Sequence, residues 1–445
     1  MNIALHARTV SAWFSDQILQ RLLKDAGWLM GGNALAALIG LATMAITART
    51  LGPAGLGATV LIMTYAQLMN RLLSFESWHA IVKFGAHALE RKDKDELARL
   101  VKLGTLLDMA GALLGFIAAV ALAPFIAEWI GLENDYRWLL SLYPAVILFN
   151  IPGAPTGVLR LLNKFHLVSL HRIAVSVIIF AGVAIAASSK AGVAGMLLAY
   201  AAGQVVGQIL LLGAGWWVLA REDMTPARIW KASIQKTHIR LREILQFVFF
   251  TNIESSVKIL RDMDVFIIGN LLNTEAVGLY RVSRRLADVA NMFIDPFFYA
   301  AFPSFNKLYA SGNWTEFRRL AVRSSLIVGG VVSLGWLGFV VIGHWFIGLV
   351  FGDAYAAAYP VAVVCMLGMV IWAFAQPLSP ALYSTNGYRK AFFIHLATSI
   401  AYAAMLIVAI HLAGMQGAAW AYAIFYLAWS AMMLAILVRQ LHKHE

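Results

Sequence analysis

Residues Phe250–Pro303, FTNIESSVKILRDMDVFIIGNLLNTEAVGLYRVSRRLADVANMFIDPFFYAAFP, decide how the whole chain is read. Two apolar runs, each long enough to cross a bilayer, flank a short turn at Leu272–Ala276, yet both runs carry charge. Glu254, Lys258 and Arg261 recur at helical spacing and share one face of the first run. Arg281, Arg284, Arg285, Asp288 and Asp295 fall within one stripe of the second. A charge at mid-bilayer costs roughly 2.5–3.5 kcal/mol even on the gentler insertion scale, so this many charges cannot face lipid. They face a protein interior or a wet cavity, which makes them candidate site residues. The pattern is that of a transporter whose cavity this hairpin lines.

Composition agrees. The chain has 445 residues, 61% of them hydrophobic and 13% charged, with a mean hydropathy of +0.73. Soluble domains carry nearer ~25% charge. The expected class is an all-α polytopic membrane protein with about twelve spans of ~20 residues. The net charge of +12 would suggest nucleic acid in a soluble protein. Here the charge sits in loops, where membrane topology explains it, and no nucleic-acid partner is expected. The single cysteine, Cys365, rules out an intrachain disulfide and suggests no thiol–metal site.

Alternate loops differ in charge. One set, including both termini, Glu76–Lys102 and Arg221–Arg242, holds roughly 26 of the Lys and Arg. The opposite set holds about three, Arg49, Arg137 and Lys190. The positive-inside rule makes the rich side and both termini cytoplasmic. Residues 1–27, with Val10, Phe14, Ile18 and Leu22 every fourth residue, read as an amphipathic helix on the membrane surface.

The two halves of the chain repeat. GVAGMLLAYA at Gly192–Ala201 matches GMQGAAWAYA at Gly414–Ala423, and LGPAGLG ending at Gly57 aligns with LNTEAVG ending at Gly278. The offset holds near 221 residues, and a constant period marks a structural repeat. The expected organisation is two parallel six-helix lobes, 28–220 and 244–438, joined by a basic linker at 221–243 and followed by a tail at 439–445. A binding cavity is expected between the lobes. The repeat is unequal in charge: Val60, Met63, Thr64 and Gln67 stand where the second half has Arg281, Arg284, Arg285 and Asp288.

A first span ending in ART-LGPAGLG, followed later by AVGLYRVSRRLADVANMF and FPSF, resembles the polysaccharide (O-antigen, or Wzx-type) flippases of the MOP superfamily. The resemblance implies two six-helix lobes in a V around a cationic cavity. It also implies translocation of an undecaprenyl-diphosphate-linked oligosaccharide from the cytoplasmic to the periplasmic leaflet, for lipopolysaccharide or other surface glycans. The residues carried over by motif are Gly52, Pro53, Gly57, Gly278, Tyr280 and Pro303. A monomer is expected, working beside a polysaccharide polymerase and a chain-length regulator. The lipid II flippases of the superfamily usually have two further spans.

Position along the hairpin separates two roles for its charges. Asp264 lies level with Arg284 and Arg285, Arg261 near Asp288, and Lys258 near Asp295. These residues and Glu254 can form a structural ladder of ion pairs, the usual way a membrane interior tolerates charge. Arg281 and one of Arg284 and Arg285 lack an obvious partner and are the expected diphosphate ligands, with Arg261 a further candidate if it is not held in the ladder, since the planar guanidinium donates two parallel hydrogen bonds. Arg71 and Asp108 are read as a structural pair at similar depth, and Arg49 as either a snorkelling or a cavity-rim residue. Pro152, Pro155, Pro377 and Pro380, at corresponding places in the halves, predict broken helices.

Other classes find little support in the residues. There is no GxxxxGK[ST] loop for ATP and no HExxH or cysteine cluster for a metal, so no cofactor is expected. His442 and His444 belong to a short terminal tail. A membrane polymerase or glycosyltransferase would normally place paired carboxylates or long loops at its reaction face. A cation or drug antiporter of the same superfamily needs a membrane carboxylate, and the first span has none.

Overall fold

The computed structural model describes residues 17–233, 242–244, 246–248, 263–385 and 388–441. Among these residues the secondary structure is entirely helical, without strands. The first half supplies α1 (Gln17–Leu73), α2 (Trp78–Glu90), α3 (Lys94–Trp129), α4 (Asn134–Leu142), α5 (Gly153–Leu161), α6 (Phe165–Ser188), α7 (Gly192–Arg221) and α8 (Pro226–Lys231). The second supplies α9 (Asp264–Leu271), α10 (Thr274–Asp288), α11 (Asn291–Ala310), α12 (Trp314–Phe351), α13 (Ala358–Ala375), α14 (Leu378–Ser384) and α15 (Tyr388–Leu441).

Among the described residues, eight helical stretches are long and apolar enough to cross a membrane. Two of them, Met30–Leu73 with 44 residues and Lys390–Leu441 with 52, exceed twice the ~20 residues of one crossing. Each is broken near its middle, α1 at Gly52 (φ 68°) and α15 at Ala413–Gly414 (Gly414 φ 55°). Glycine takes such positive φ without steric cost, so the chain turns there. The outer faces carry large apolar side chains that no protein covers: Val341 and Leu412 are each 82% exposed. A surface of this kind is solvated by lipid rather than water.

Helix breaks occur at the prolines. The stretch Asn134–Leu161 divides into α4, a 3₁₀ segment (Tyr143–Phe149) and α5, with Pro152 capping α5. In the second half, α13 and α14 part at Gln376–Pro377. Proline supplies no backbone N–H and clashes with the preceding turn, so a helix restarts there. The hairpin's second helix is also broken, between α10 and α11 at Val289–Ala290, which sets its charged part apart from the Phe-rich part that follows.

Three local expectations change. The loop Glu76–Lys102 contains a thirteen-residue helix, α2, whose Ala80, Ile81, Gly85 and Ala88 are buried. Residues 17–27 run into the first span without a break, rather than forming a separate surface helix, and residues 1–16 lie outside the described residues. The linker also begins as structure. Thr225 caps α8 by accepting from the Arg228 N–H, and Arg228 reaches Asp95 at 2.7 Å, while the Lys102 ammonium donates to the Trp230 and Ala232 carbonyls.

The halves meet mainly where α10 packs on α1, and one core cluster runs through both, with Leu61 and Tyr65 among Ile268, Val277 and Tyr280. At the Arg-poor end of the bundle three contacts cross between halves. Arg49 donates to the Leu349 and Val350 carbonyls, the Tyr355 hydroxyl to the Ala48 carbonyl at 3.2 Å, and the Asn270 amide to the Trp129 carbonyl.

Candidate substrate cavity

The stripe on α10 faces the α1 segment that follows its kink. Positions 221 residues apart come together in two adjoining cavities between the halves: Gln67 and Asp288 line one, Val60 with Arg281 and Thr64 with Arg285 line the other, and Thr64, Gln67 and Arg281 are common to both. Gly57 and Gly278 pack against one another at the helix crossing, so each successive turn opposes its counterpart. The unequal repeat noticed in the sequence is therefore one wall of the cavity facing the other.

The first cavity, about 190 Å³, is lined by Arg71, Asp264, Arg281, Arg284 and Asp288 among others. Three guanidiniums thus share it with two carboxylates. Asp264 is 3% exposed and opens α9. Its Oδ2 accepts from Arg284 Nη1 at 2.5 Å, from the Tyr280 hydroxyl at 3.0 Å and from the Tyr402 hydroxyl at 3.4 Å, while Oδ1 accepts from the Val265 N–H at 2.8 Å. The Arg284 guanidinium lies 3.8 Å from the centre of the Tyr422 ring. An aromatic face is attracted to a cation, and a carboxylate with several donors tolerates burial. Arg284 is thereby locked into the second half's own core.

The second cavity, about 210 Å³, contains Arg281 and Arg285 and, among the described residues, no carboxylate. Arg285 Nη2 donates a long bond, 3.4 Å, to the Ala37 carbonyl, and a Cβ at Gly40 would stand 2.7 Å from the same nitrogen. Gly40 therefore makes room for the guanidinium. Arg281 makes no hydrogen bond or ion pair to another described residue. The rest of the lining is uncharged and mixed: Thr43, Thr47, Thr59, Thr64, Gln67, Ser176 and Tyr200 stand beside apolar Met44, Leu56, Val60, Met63 and Ile179.

Two calls on the sequence need correction. Asp108 does not pair with Arg71. It accepts from Ser77 Oγ and from the Ala154 N–H, each at 2.9 Å, and so caps the N-terminus of α5, where the helix dipole favours an anion. Arg71 instead lines the first cavity. Arg49 reaches neither cavity; it satisfies carbonyls in the last turn of α12, which lack partners within their own helix. Glu254, Lys258 and Arg261 lie outside the described residues, as do His442 and His444. Tyr402 and Tyr422 were missed, because an aromatic ring in an apolar run looks like core.

Residues 22–309 match the profile of the family described as polysaccharide biosynthesis protein. The chain belongs to this family. Within the family's range fall α1 from residue 22 onward, α10 and every cavity arginine described above. The chain is 26% identical over 353 residues to the inner membrane protein YghQ of Escherichia coli K12, covering 79% of this chain and 98% of that protein. It is 23% identical over 450 residues to a putative O-antigen transporter of Shigella flexneri, covering 95% and 97%. In fold it resembles a multidrug-resistance MATE transporter of the MOP superfamily in an inward-facing conformation, with a TM-score of 0.75 at 13% identity over 92% of this chain and 95% of that one. The fold of this family member is thus that of the MOP transporters.

Proposed function

We propose that this protein is a flippase carrying a polyprenyl-diphosphate-linked oligosaccharide from the cytoplasmic to the periplasmic leaflet of a bacterial inner membrane, for surface polysaccharide synthesis. The observation that carries this reading is the pair Arg281 and Arg285, which share a cavity between the halves whose described lining holds no carboxylate, while Arg281 also borders the first cavity with Asp264 and Asp288. Two guanidiniums can each grip phosphate oxygens bidentately. Family membership and the likeness to an O-antigen transporter support the same reading. The headgroup occupies the cavity while the lipid tail remains in the bilayer.

The transport cycle we assign is alternating access between two six-helix lobes in a V, twelve spans in all, with both termini and the 221–243 linker cytoplasmic. The Arg-poor end is then periplasmic, and its contacts through Arg49, Tyr355 and Asn270 seal it. The protein acts as a monomer that hands its cargo to a polymerase working with a chain-length regulator, and it needs no cofactor. Reporter fusions in the 221–243 linker give a cytoplasmic signal; a periplasmic one overturns the topology.

The cation-antiporter reading is weaker, because Asp264 already holds this protein's own Arg284 guanidinium where a transported cation would bind. The deciding experiment measures surface glycan and membrane abundance in a strain that depends on this gene. Arg281→Gln and Arg285→Gln each lose most export at normal abundance, and lipid-linked glycan accumulates. Full export by both variants defeats the proposal. The sugar on that accumulated intermediate separates an O-antigen-type substrate from lipid II.

A further inference from the structure

Arg281 and Arg285 account for one end of a ligand, and the wall facing them selects the next group along. That wall belongs to the first half. It places Thr43, Thr47, Thr64, Gln67 and Tyr200 in the same cavity as the two arginines. The direction of its hydrogen bonds limits what it can take. Thr43 Oγ1 donates to the Ile39 carbonyl at 2.8 Å and Thr47 Oγ1 to the Thr43 carbonyl at 3.0 Å, so both hydroxyl hydrogens serve their own helix. Their oxygens keep lone pairs for an incoming donor. The Tyr200 hydroxyl stands 3.2 Å from Thr47 Oγ1 and holds this row in place. Thr64 and Gln67 make no side-chain hydrogen bond to another described residue, and Gln67 is exposed in the cavity.

The cavity is therefore two-sided. The α10 side offers donors alone, since a guanidinium cannot accept. On the α1 side the Thr43 and Thr47 oxygens accept, while the Thr64 hydroxyl and the Gln67 amide can each donate and accept. A hydrocarbon tail against Thr64 and Gln67 would leave their polar groups unpaired, and a further phosphate would meet no cation among the α1 residues of this lining. The complementary ligand is an anionic group joined directly to a neutral unit with several O–H or N–H donors. A sugar carried on a diphosphate has that chemistry.

We infer that Thr64 and Gln67, backed by Thr43, Thr47 and Tyr200, form a subsite for the sugar attached directly to the diphosphate, and so set which lipid-linked glycan is accepted. This rests on the flippase reading above. One half of the repeat holds the charge and the other reads the carbohydrate, which gives the neutral Thr64 and Gln67, counterparts of Arg285 and Asp288, a purpose.

The test uses the full chain purified in nanodiscs. The probes are farnesyl diphosphate and farnesyl-diphosphate-linked glucose, galactose and N-acetylglucosamine, with affinity read by calorimetry. The wild type binds at least one glycosylated probe about tenfold more tightly than the bare diphosphate, the scale of one or two neutral hydrogen bonds. Thr64→Val/Gln67→Leu removes that preference and leaves affinity for farnesyl diphosphate within about twofold. Unchanged melting temperature in both proteins controls for folding. Equal affinity of the wild type for the bare and all three glycosylated probes overturns the subsite, as does a preference that survives the double substitution. If farnesyl diphosphate does not bind, or binds equally well to Arg281→Gln/Arg285→Gln, the diphosphate reading itself falls and the subsite falls with it.

Discussion

Gly57 and Gly278, equivalent positions in the two halves of the sequence, pack against each other at the crossing of α1 and α10. A Cβ on Gly57 would sit 1.7 Å from the Thr274 carbonyl oxygen and 3.1 Å from the Gly278 nitrogen. A Cβ on Gly278 would sit 2.0 Å from the Pro53 carbonyl oxygen and 3.2 Å from the Gly57 nitrogen. The relationship is reciprocal, as it must be where a pseudo-two-fold axis passes between paired elements. Membrane helices approach this closely only through small residues, because lipid supplies no hydrophobic drive between them. In the alternating-access cycle proposed above, these two glycines would be the pivot about which the halves rock.

The pivot predicts an asymmetric cost. Gly57→Ala or Gly278→Ala forces α1 and α10 apart against backbone atoms, which cannot rotate away as a side chain can. Overpacking of this kind typically costs about 1–3 kcal/mol. Thermal unfolding in nanodiscs should show that loss, and export should fall further than abundance because the Arg-poor end no longer closes. Alanine variants with wild-type export would show that the crossing opens freely and is not a pivot.

Arg49 gives a second prediction about the same end. Its donors satisfy carbonyls of a helix three hundred residues away in sequence. A cation at a helix C-terminus is favourable, but this one is exposed and its stability contribution is small. The expected effect is on conformation. In an Ala48→Cys protein, a membrane-impermeant maleimide should react slowly, since Ala48 is fully buried beneath the Tyr355 hydroxyl. Adding Arg49→Gln should raise the rate severalfold. An unchanged rate would leave Arg49 as a surface cap without a role in closure.

Asp264 and Arg284 behave differently. Removing one partner of a buried pair strands the other, at a cost of about 3–5 kcal/mol. Asp264→Asn and Arg284→Gln should each lower melting temperature and membrane abundance. The charge swap Asp264→Arg/Arg284→Asp should recover abundance in part at most, because the Tyr280 and Tyr402 hydroxyls are aimed at a carboxylate in position 264. Single variants of wild-type stability would mean the pair contributes nothing to the fold.

The sequence made some of this legible for definite reasons. Helical periodicity and distance from the turn were enough to set Asp264 level with Arg284, since antiparallel helices joined by a short turn share a depth scale. The repeat offset was enough to align Gly57 with Gly278 and Thr64 with Arg285. Depth says nothing of rotation, however. Arg71 and Asp108 lie at similar depth, but Asp108 faces the N-terminus of α5 and Arg71 faces the cavity. Arg49 was unreadable because its partners are main-chain carbonyls, which carry no residue identity. The hydroxyl wall left a faint trace, Thr43 and Thr47 one turn apart and one turn beyond Gly40, but threonine in an apolar helix ordinarily bonds its own backbone and draws no notice.

The three neighbouring arginines of α10 should separate cleanly under lysine substitution, and this is the sharpest check on the site. Lysine keeps the charge but replaces the planar fork with a point charge. At Arg281 and Arg285, which make no ion pair to another described residue and share the second cavity, lysine still attracts a diphosphate and export should be intermediate between arginine and glutamine, at normal abundance. At Arg284 the guanidinium simultaneously pairs with Asp264 and stacks 3.8 Å from the Tyr422 ring centre, a geometry that an ammonium on a flexible stem does not reproduce. Arg284→Lys should therefore resemble Arg284→Gln, with reduced abundance and with export lost in proportion. The measurement is surface glycan normalised to membrane protein for all six variants. Normalised export should follow arginine, lysine, glutamine in descending order at positions 281 and 285 and stay flat at 284. A graded loss at 284 together with flat values at 281 and 285 would move the diphosphate to the first cavity, beside Asp264, and would leave the second cavity without its anion.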